Sequence, residues 1–416
     1  MEHLRVIIRS TGVAVVFILA ISGSSFAGNG FRGDLTFGYD SFVDRFTILE
    51  EDTTDAIQEF YLSLTTSLTH TGGKFKTGAT NTFRYGTQSI NEIFYGNLSA
   101  GSWESIRLEI RNSSRLKFYR DGSDYEFGND YVQSNTSIKL GRAIRENLKI
   151  SARGRMEIID YSEKTSFDYD YLYFDGGLEV ESGSYFERFA RVAVSAGHRE
   201  VADTTDLSYD RILTGLEFHF QPAPGTLAEF SISGDRRDYR GESRSPLWNV
   251  YSFSSISIPM AAGMKTSLRF DSESYIYDRP STTFFDTHYL RGGIKTTIPV
   301  NSAFSLFAEP RFARMLCDEF EEEKYWEGSV VLGLDLLGSG DYWCTFSWEP
   351  GRRDYIMEKN EIYSDFYLNR LSLMGSIKTP NDFSIGLFIM HDPERHSRRD
   401  DDFSLTMISA TISKEF

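Results

Sequence analysis

The sequence predicts an all-β chain: a single closed antiparallel transmembrane β-barrel of about 20 strands (18–22), with short turns at one rim and longer loops at the other. Three observations carry this. Apolar and polar residues alternate with a period of two along almost the whole chain. The alternating stretches run about 12–15 residues, against about 5–6 for a usual soluble strand and about 9–11 for a tilted strand crossing a bilayer. The connections come in two sorts that take turns, one tight and built of small residues, the other longer and charged.

Composition excludes the main alternatives. The 416 residues are 40% hydrophobic and 25% charged, yet 15% aromatic, with 33 Phe, 23 Tyr and 5 Trp. After residue 27 no run approaches the roughly 18 apolar residues that a spanning helix needs. Two cysteines are too few for a disulfide scaffold, and a net charge of −16 argues against nucleic acid as a partner.

Residues 1–27 have the layout of a cleaved secretory signal. Arg5 and Arg9 precede an apolar core at 13–21, and Ser25-Phe26-Ala27 supplies small residues around a cleavage site. Residues 28–416 then form the barrel as one domain. Phe60, Leu62, Leu64 and Leu68 alternate with Glu59, Tyr61, Ser63, Thr65 and Ser67. Ile106, Leu108 and Ile110 alternate with Arg107, Glu109 and Arg111; Ile150, Ala152, Met156 and Ile158 with Lys149, Ser151, Arg153, Arg155 and Glu157. Ile212, Leu216 and Phe218 alternate with Arg211, Glu217 and His219, and Leu268 and Phe270 with Arg269 and Asp271. Stretches 91–103 and 247–258 are the least clearly patterned.

Tight turns are expected at 71–73, 101–102, 221–225, 261–263, 301–302 and 339–340, and longer loops at 121–130, 202–206, 241–246, 317–324, 351–362 and 393–400. In a transmembrane barrel the short turns face the periplasm and the longer loops the outside, so both chain ends lie on the short-turn side. Closure is obligatory, because hydrocarbon offers an unpaired strand edge no partner. Aromatics cluster at strand ends, as at 167–174, 275–277, 284–289, 342–348 and 363–367, where rings are expected to form girdles at the headgroup level.

Ile408, Ala410, Ile412 and the terminal Phe416 lie two or four residues apart on one face. This segment resembles the C-terminal strand by which the barrel-assembly machinery recognises Gram-negative outer-membrane proteins. Lys414 departs from that pattern, and Phe403, Leu405 and Met407 fall in the opposite phase, which predicts a bulge near Met407. The resemblance implies a porin-like protein in contact with outer-membrane lipid and lipopolysaccharide. It points to no particular porin, secretin or transporter. Strand-like alternation begins at Leu35, too early for an N-terminal plug. The implied function is passive diffusion of small hydrophilic solutes. The alternative is a barrel conduit or anchor of an export assembly that needs a periplasmic partner.

A wide barrel with neither plug nor long inserted loop should enclose water. The pore-lining residues expected to set its selectivity are Arg107, Arg111, Lys149, Arg153, Arg155, Glu157, Arg211, Glu217, Arg269 and Asp271. Arg107, Arg111, Lys149, Arg153 and Arg155 come from neighbouring hairpins and are expected to share one basic wall. The plainer reading is that such charges pair across strands and keep the lumen wet.

No catalytic constellation, metal site or cofactor motif stands out. His391 and His396, near Asp400, have no specific ligand spacing. Asp318, Glu319, Glu321, Glu322 and Glu323 form an acidic loop that invites divalent cations bridging to lipid phosphates, although such runs are commonly solvated. Cys317 and Cys344 are expected at opposite rims, too far apart for a disulfide.

Overall fold

A computed structural model describes residues 29–48, 51–120, 129–163, 168–184, 188–202, 204–338, 340–357 and 362–416. The expected signal at 1–27 lies outside the described residues, as do 121–128 of one expected loop. The strands are β1 (Asn29–Ile48), β2 (Glu51–Gly72), β3 (Phe75–Gly86), β4 (Ser89–Gly101), β5 (Arg107–Tyr119), β6 (Tyr131–Arg145) and β7 (Leu148–Tyr161). They continue as β8 (Tyr171–Ser184), β9 (Arg188–Val201), β10 (Tyr209–Ala223), β11 (Thr226–Tyr239), β12 (Leu247–Pro259), β13 (Lys265–Tyr277) and β14 (Thr287–Pro299). The last six are β15 (Phe304–Cys317), β16 (Tyr325–Leu337), β17 (Tyr342–Tyr355), β18 (Phe366–Lys378), β19 (Phe383–His396) and β20 (Phe403–Glu415). Each pairs antiparallel with its neighbour in sequence, and β1 also pairs with β20, so the 20-stranded sheet closes.

The period-two pattern becomes two surfaces. Leu178 and Val194 point outward and are 63% and 49% exposed, whereas Glu59 and Glu179 point inward and are only 4% and 5% exposed. Among the described residues Cys317 alone falls below 2% exposure, so no packed apolar interior exists. Two facing sheets with a shared oily core are therefore excluded. At a strand spacing of about 4.8 Å and a tilt of about 40°, twenty strands place the backbone roughly 20 Å from the axis. Side chains cannot fill that bore.

The seam is regular. Asp34 faces Glu415 and Phe46 faces Phe403 without a break, and beyond the last paired residues Gly33 and Phe416 exchange two backbone hydrogen bonds of 2.9 Å. A Cβ on Gly33 would meet the Phe416 ring at 2.3 Å, which explains a glycine there. The expected bulge near Met407 is absent, because β20 keeps register with both β1 and β19. Leu405 and Met407 are apolar residues that face inward. Lys414 lies with its ammonium 5.0 Å from the Phe383 ring centroid, where its stem covers an aromatic and its charge reaches the rim.

Short turns occupy the rim that also carries the chain end. Gly101 turns with φ +82°, where a Cβ would lie 1.9 Å from the Ile106 carbonyl oxygen. The opposite rim carries the longer connections, except between β1 and β2 and between β3 and β4. Thr87 and Gln88 alone join β3 to β4, and they are stitched to the taller β2: Thr87 N donates to Phe60 O at 2.9 Å, and Gln88 Nε2 to Gln58 O at 3.1 Å. Two expected loops also start late, since β17 runs to Tyr355 and β19 to His396. Pro350 and Pro393 lie inside these strands and Pro310 inside β15. Pairing with one neighbour skips beside each of them, which accommodates the missing N–H.

The aromatic girdle needs correction. Trp248, Trp326, Trp348 and Tyr367 face outward, but many ring-bearing strand ends face the lumen at the loop rim. Tyr131 packs on Tyr161 with centroids 5.7 Å apart, Tyr209 on Tyr239 at 5.4 Å, Tyr325 on Tyr355 at 5.6 Å, and Tyr355 on Tyr363 at 5.2 Å. These pairs form an inner collar around the mouth.

Cys317 is buried at the loop end of β15 and Cys344 sits near the short-turn end of β17. Non-reducing mass spectrometry of the folded protein should find two free thiols. A Cys317–Cys344 link would contradict this register.

Candidate functional site: the lumen wall

Alternation delivers every second side chain of each strand to the lumen, and most of those side chains are charged or hydroxylated. On β5 Glu109 is held between Arg107 Nε at 2.7 Å and Arg111 Nη2 at 3.3 Å. On β7 Arg155 pairs with Glu157, which also accepts from Gln133 Nε2 at 3.0 Å and from the Tyr171 hydroxyl at 2.8 Å. Arg153 Nη2 donates to Ser195 Oγ at 3.2 Å. The Lys149 ammonium lies 5.1 Å from the Trp103 ring centroid and the Arg107 guanidinium 5.5 Å from it.

Arg107, Arg111, Lys149, Arg153 and Arg155 thus share one stretch of wall, but carboxylates are threaded through it. Besides Glu109 and Glu157 there is Glu179, which with Glu181 receives Lys139 from β6. Sequence reading did not single out Lys139 or Glu181, although both occupy inward positions in the same period.

Farther round, Glu217 pairs with Arg191 and lies 2.7 Å from His219 Nε2. Asp235 on β11 is gripped by two arginines: Arg211 reaches its oxygens at 2.7 and 3.0 Å, Arg237 reaches one of them at 3.0 and 2.7 Å. Arg211 also donates to the Tyr173 hydroxyl at 3.4 Å. Asp271 pairs with Arg291 at 3.1 Å. Arg269, on the same strand face as Asp271, stands opposite Ser255 and Gly293.

The most connected part of the wall lies on β15–β19. Arg311 links Glu309 at 2.8 Å to Glu349 at 3.3 Å, and Arg370 links Glu349 at 3.3 Å to Asp392 at 2.5 Å. Ser329 Oγ donates to Glu349 at 2.8 Å. Glu309, Arg311, Glu349 and Asp392 were not expected as pore-lining residues, because the proline beside each acid obscures the strand pattern. A usable signal was present: Glu309-Pro310, Glu349-Pro350 and Asp392-Pro393 recur on alternate strands, the proline outward and the acid inward.

The other candidate features resolve into structural contacts. Among the described residues no group of three or more His, Cys, Asp or Glu is placed to hold a metal ion. In the acidic loop Glu319 accepts from the Asp286 amide at 3.3 Å, Glu321 pairs with Lys324 at 3.4 Å, and Glu323 accepts from the Tyr363 hydroxyl at 2.8 Å. That carboxylate pushes the Tyr363 phenol up to about 12. His391 Nδ1 lies 2.9 Å from Thr406 Oγ1 on the outer surface, and His396 Nδ1 lies 3.0 Å from Ser364 Oγ. At the closing strand Ile408, Ala410 and Ile412 face outward and Phe416 is exposed.

A closed sheet with an apolar outside and an ion-paired aqueous inside defines a transmembrane β-barrel. Solved structures of that class resemble it. The alcaligin outer-membrane receptor FauA of Bordetella pertussis superposes with a TM-score of 0.57 at 10% identity, over 93% of this chain and 76% of that one. OccK7 (OpdD) of Pseudomonas aeruginosa gives 0.50 at 9% identity, over 94% and 99%. OccAB4 of Acinetobacter baumannii gives 0.50 at 10%, over 94% and 99%. At such identities the likeness concerns the fold, that of outer-membrane barrels. No family model and no curated protein matches the sequence.

Proposed function

We propose that the protein is a porin-like channel of the outer membrane, through which small hydrophilic solutes diffuse. The observation that carries this reading is the closed 20-strand wall whose inner face is ion-paired and whose interior holds no packed core. Water and solute need a continuous polar path, and the lumen charges supply one without a moving part. No catalytic role is assigned to the wall residues. The short-turn rim is read as periplasmic and the tyrosine-collared mouth as external. The exposed Ile408–Ile412 face and Phe416 are read as the assembly signal, with lipid and lipopolysaccharide against the outer girdle.

Reconstituted in a planar bilayer, the purified protein should give steady ohmic conductance. A barrel that never conducts would instead support an export conduit that waits for a periplasmic partner. Selectivity should follow the β5–β7 stretch. Arg153→Glu with Arg155→Glu removes two cations and adds two anions beside Glu157 and Glu179, so the cation-to-anion permeability ratio should rise severalfold. An unchanged reversal potential would place the selective region elsewhere on the wall.

A further inference from the structure

The phase reversal at Leu405 and Met407 has no place in a purely hydrophilic pore. With register unbroken, it puts apolar side chains on the wet face. Directly opposed residues form a row across four strands around the seam: Ile57 on β2 faces Phe42 on β1, Phe42 faces Met407 on β20, and Met407 faces Met390 on β19. Phe388 adjoins it on β19. Apolar surface left against water in an otherwise ionic lumen is costly, and such patches mark sites of contact.

Ile57, Phe42 and Met407 of this row, with Phe388, form one side of a cavity of about 510 Å³ in the lumen wall. A small-molecule site commonly has a volume of about 300–1,000 Å³. The other side is cationic and comes from β3–β5: Arg84, Arg115 and Lys117, with Asn91 between them. Arg84 is already committed, to Asp40 at 2.8 Å and to Glu59, which in turn accepts from Ser89 N at 3.0 Å and Ser89 Oγ at 2.9 Å. Arg115 is different. Its Nε donates to Asn91 Oδ1 at 3.2 Å and its guanidinium lies 5.7 Å from the Tyr131 ring centroid, but among the described residues no carboxylate pairs with it. With Arg84 answered by Asp40 and Glu59, Arg115 is the guanidinium on this side that a further anion can engage.

We infer that this cavity is a binding site for a small organic monoanion with an apolar body, the anionic group on the outer edge of the Arg115 guanidinium and the body across Phe42, Phe388 and Met407. A guanidinium already fixed through Nε presents its remaining N–H groups in the fork that suits a carboxylate. An apolar body of several carbons covers the row that water wets poorly. The site rests on the channel reading and refines it, because it names the solute class the pore retains on the way through.

The test uses the full-length barrel in lipid nanodiscs and hexanoate as the probe, with acetate carrying only the charged group and hexanol only the body. Titration calorimetry should show hexanoate binding at least fivefold tighter than either. Arg115→Gln should weaken it about tenfold while Arg115→Lys restores part of the loss, and Phe388→Ser should weaken hexanoate but not acetate. Unchanged melting temperatures establish that the variants are folded. Equal binding of the three probes, or Arg115→Gln binding like the parent, overturns the site even if the protein conducts. Specific hexanoate binding to a barrel that does not conduct sustains the site and overturns the channel.

Discussion

Val194→Arg is expected to destabilise the barrel by about 2–4 kcal/mol, the cost of an arginine facing hydrocarbon near the bilayer midplane. Val194 lies midway along β9, points outward between Leu178 and Thr214, and is 49% exposed. Its neighbour Ala193 is one residue away and faces the lumen, beside Arg191 and Glu217. Ala193→Arg should therefore change stability by no more than about 1 kcal/mol and instead move selectivity toward anions. Equilibrium refolding into vesicles across a denaturant series measures both. Equal costs at the two positions would mean that the alternation does not separate lipid from water.

Asp235→Ala is expected to cost about 2–3 kcal/mol, toward the lower end for removing one member of a buried ion pair because the lumen is wet. Asp235 is 7% exposed, and Arg211 and Arg237 stand directly opposite one another across β10 and β11 with that carboxylate joining them. Without it, two guanidiniums face each other with one fewer acceptor. Adding Arg211→Leu to Asp235→Ala should recover at least half of the loss, since the repulsion goes with it. If the double variant is as unstable as the sum of its parts, Asp235 acts through the backbone and not through its arginines.

The wall was legible in the sequence and the mouth was not. Long stretches such as Ile150–Ile158 have strict alternation, and a closed sheet converts that period directly into an inside and an outside, with no tertiary packing to override it. Tyr131, Tyr209, Tyr277 and Tyr355 were harder, because a tyrosine at a strand end suits either a headgroup girdle or a collar. Only the count of residues along the strand back to an ion-paired lumen position, such as Glu157 for Tyr161 on β7, decides the face. The acids before Pro310, Pro350 and Pro393 were hidden by a rule learned on central strands of soluble sheets. Here the ladder skips locally and keeps the strand. Ion-pair partners were beyond the sequence altogether. Arg84 with Asp40 and Glu59 depends on which strands neighbour which, and β1 meets β20 only through closure.

That closure has a bearing on how the molecule is made. Every other pairing joins elements adjacent along the chain, so hairpins can zip in succession, but β1 waits for a partner that emerges last. Drawing two ends together across such a span carries the largest entropic penalty in the molecule and offers no local reward on the way. A chain clipped before Phe403 therefore keeps two raw edges whose amides have nothing to bond in lipid, which makes a nearly complete protein as unfinished as a much shorter one.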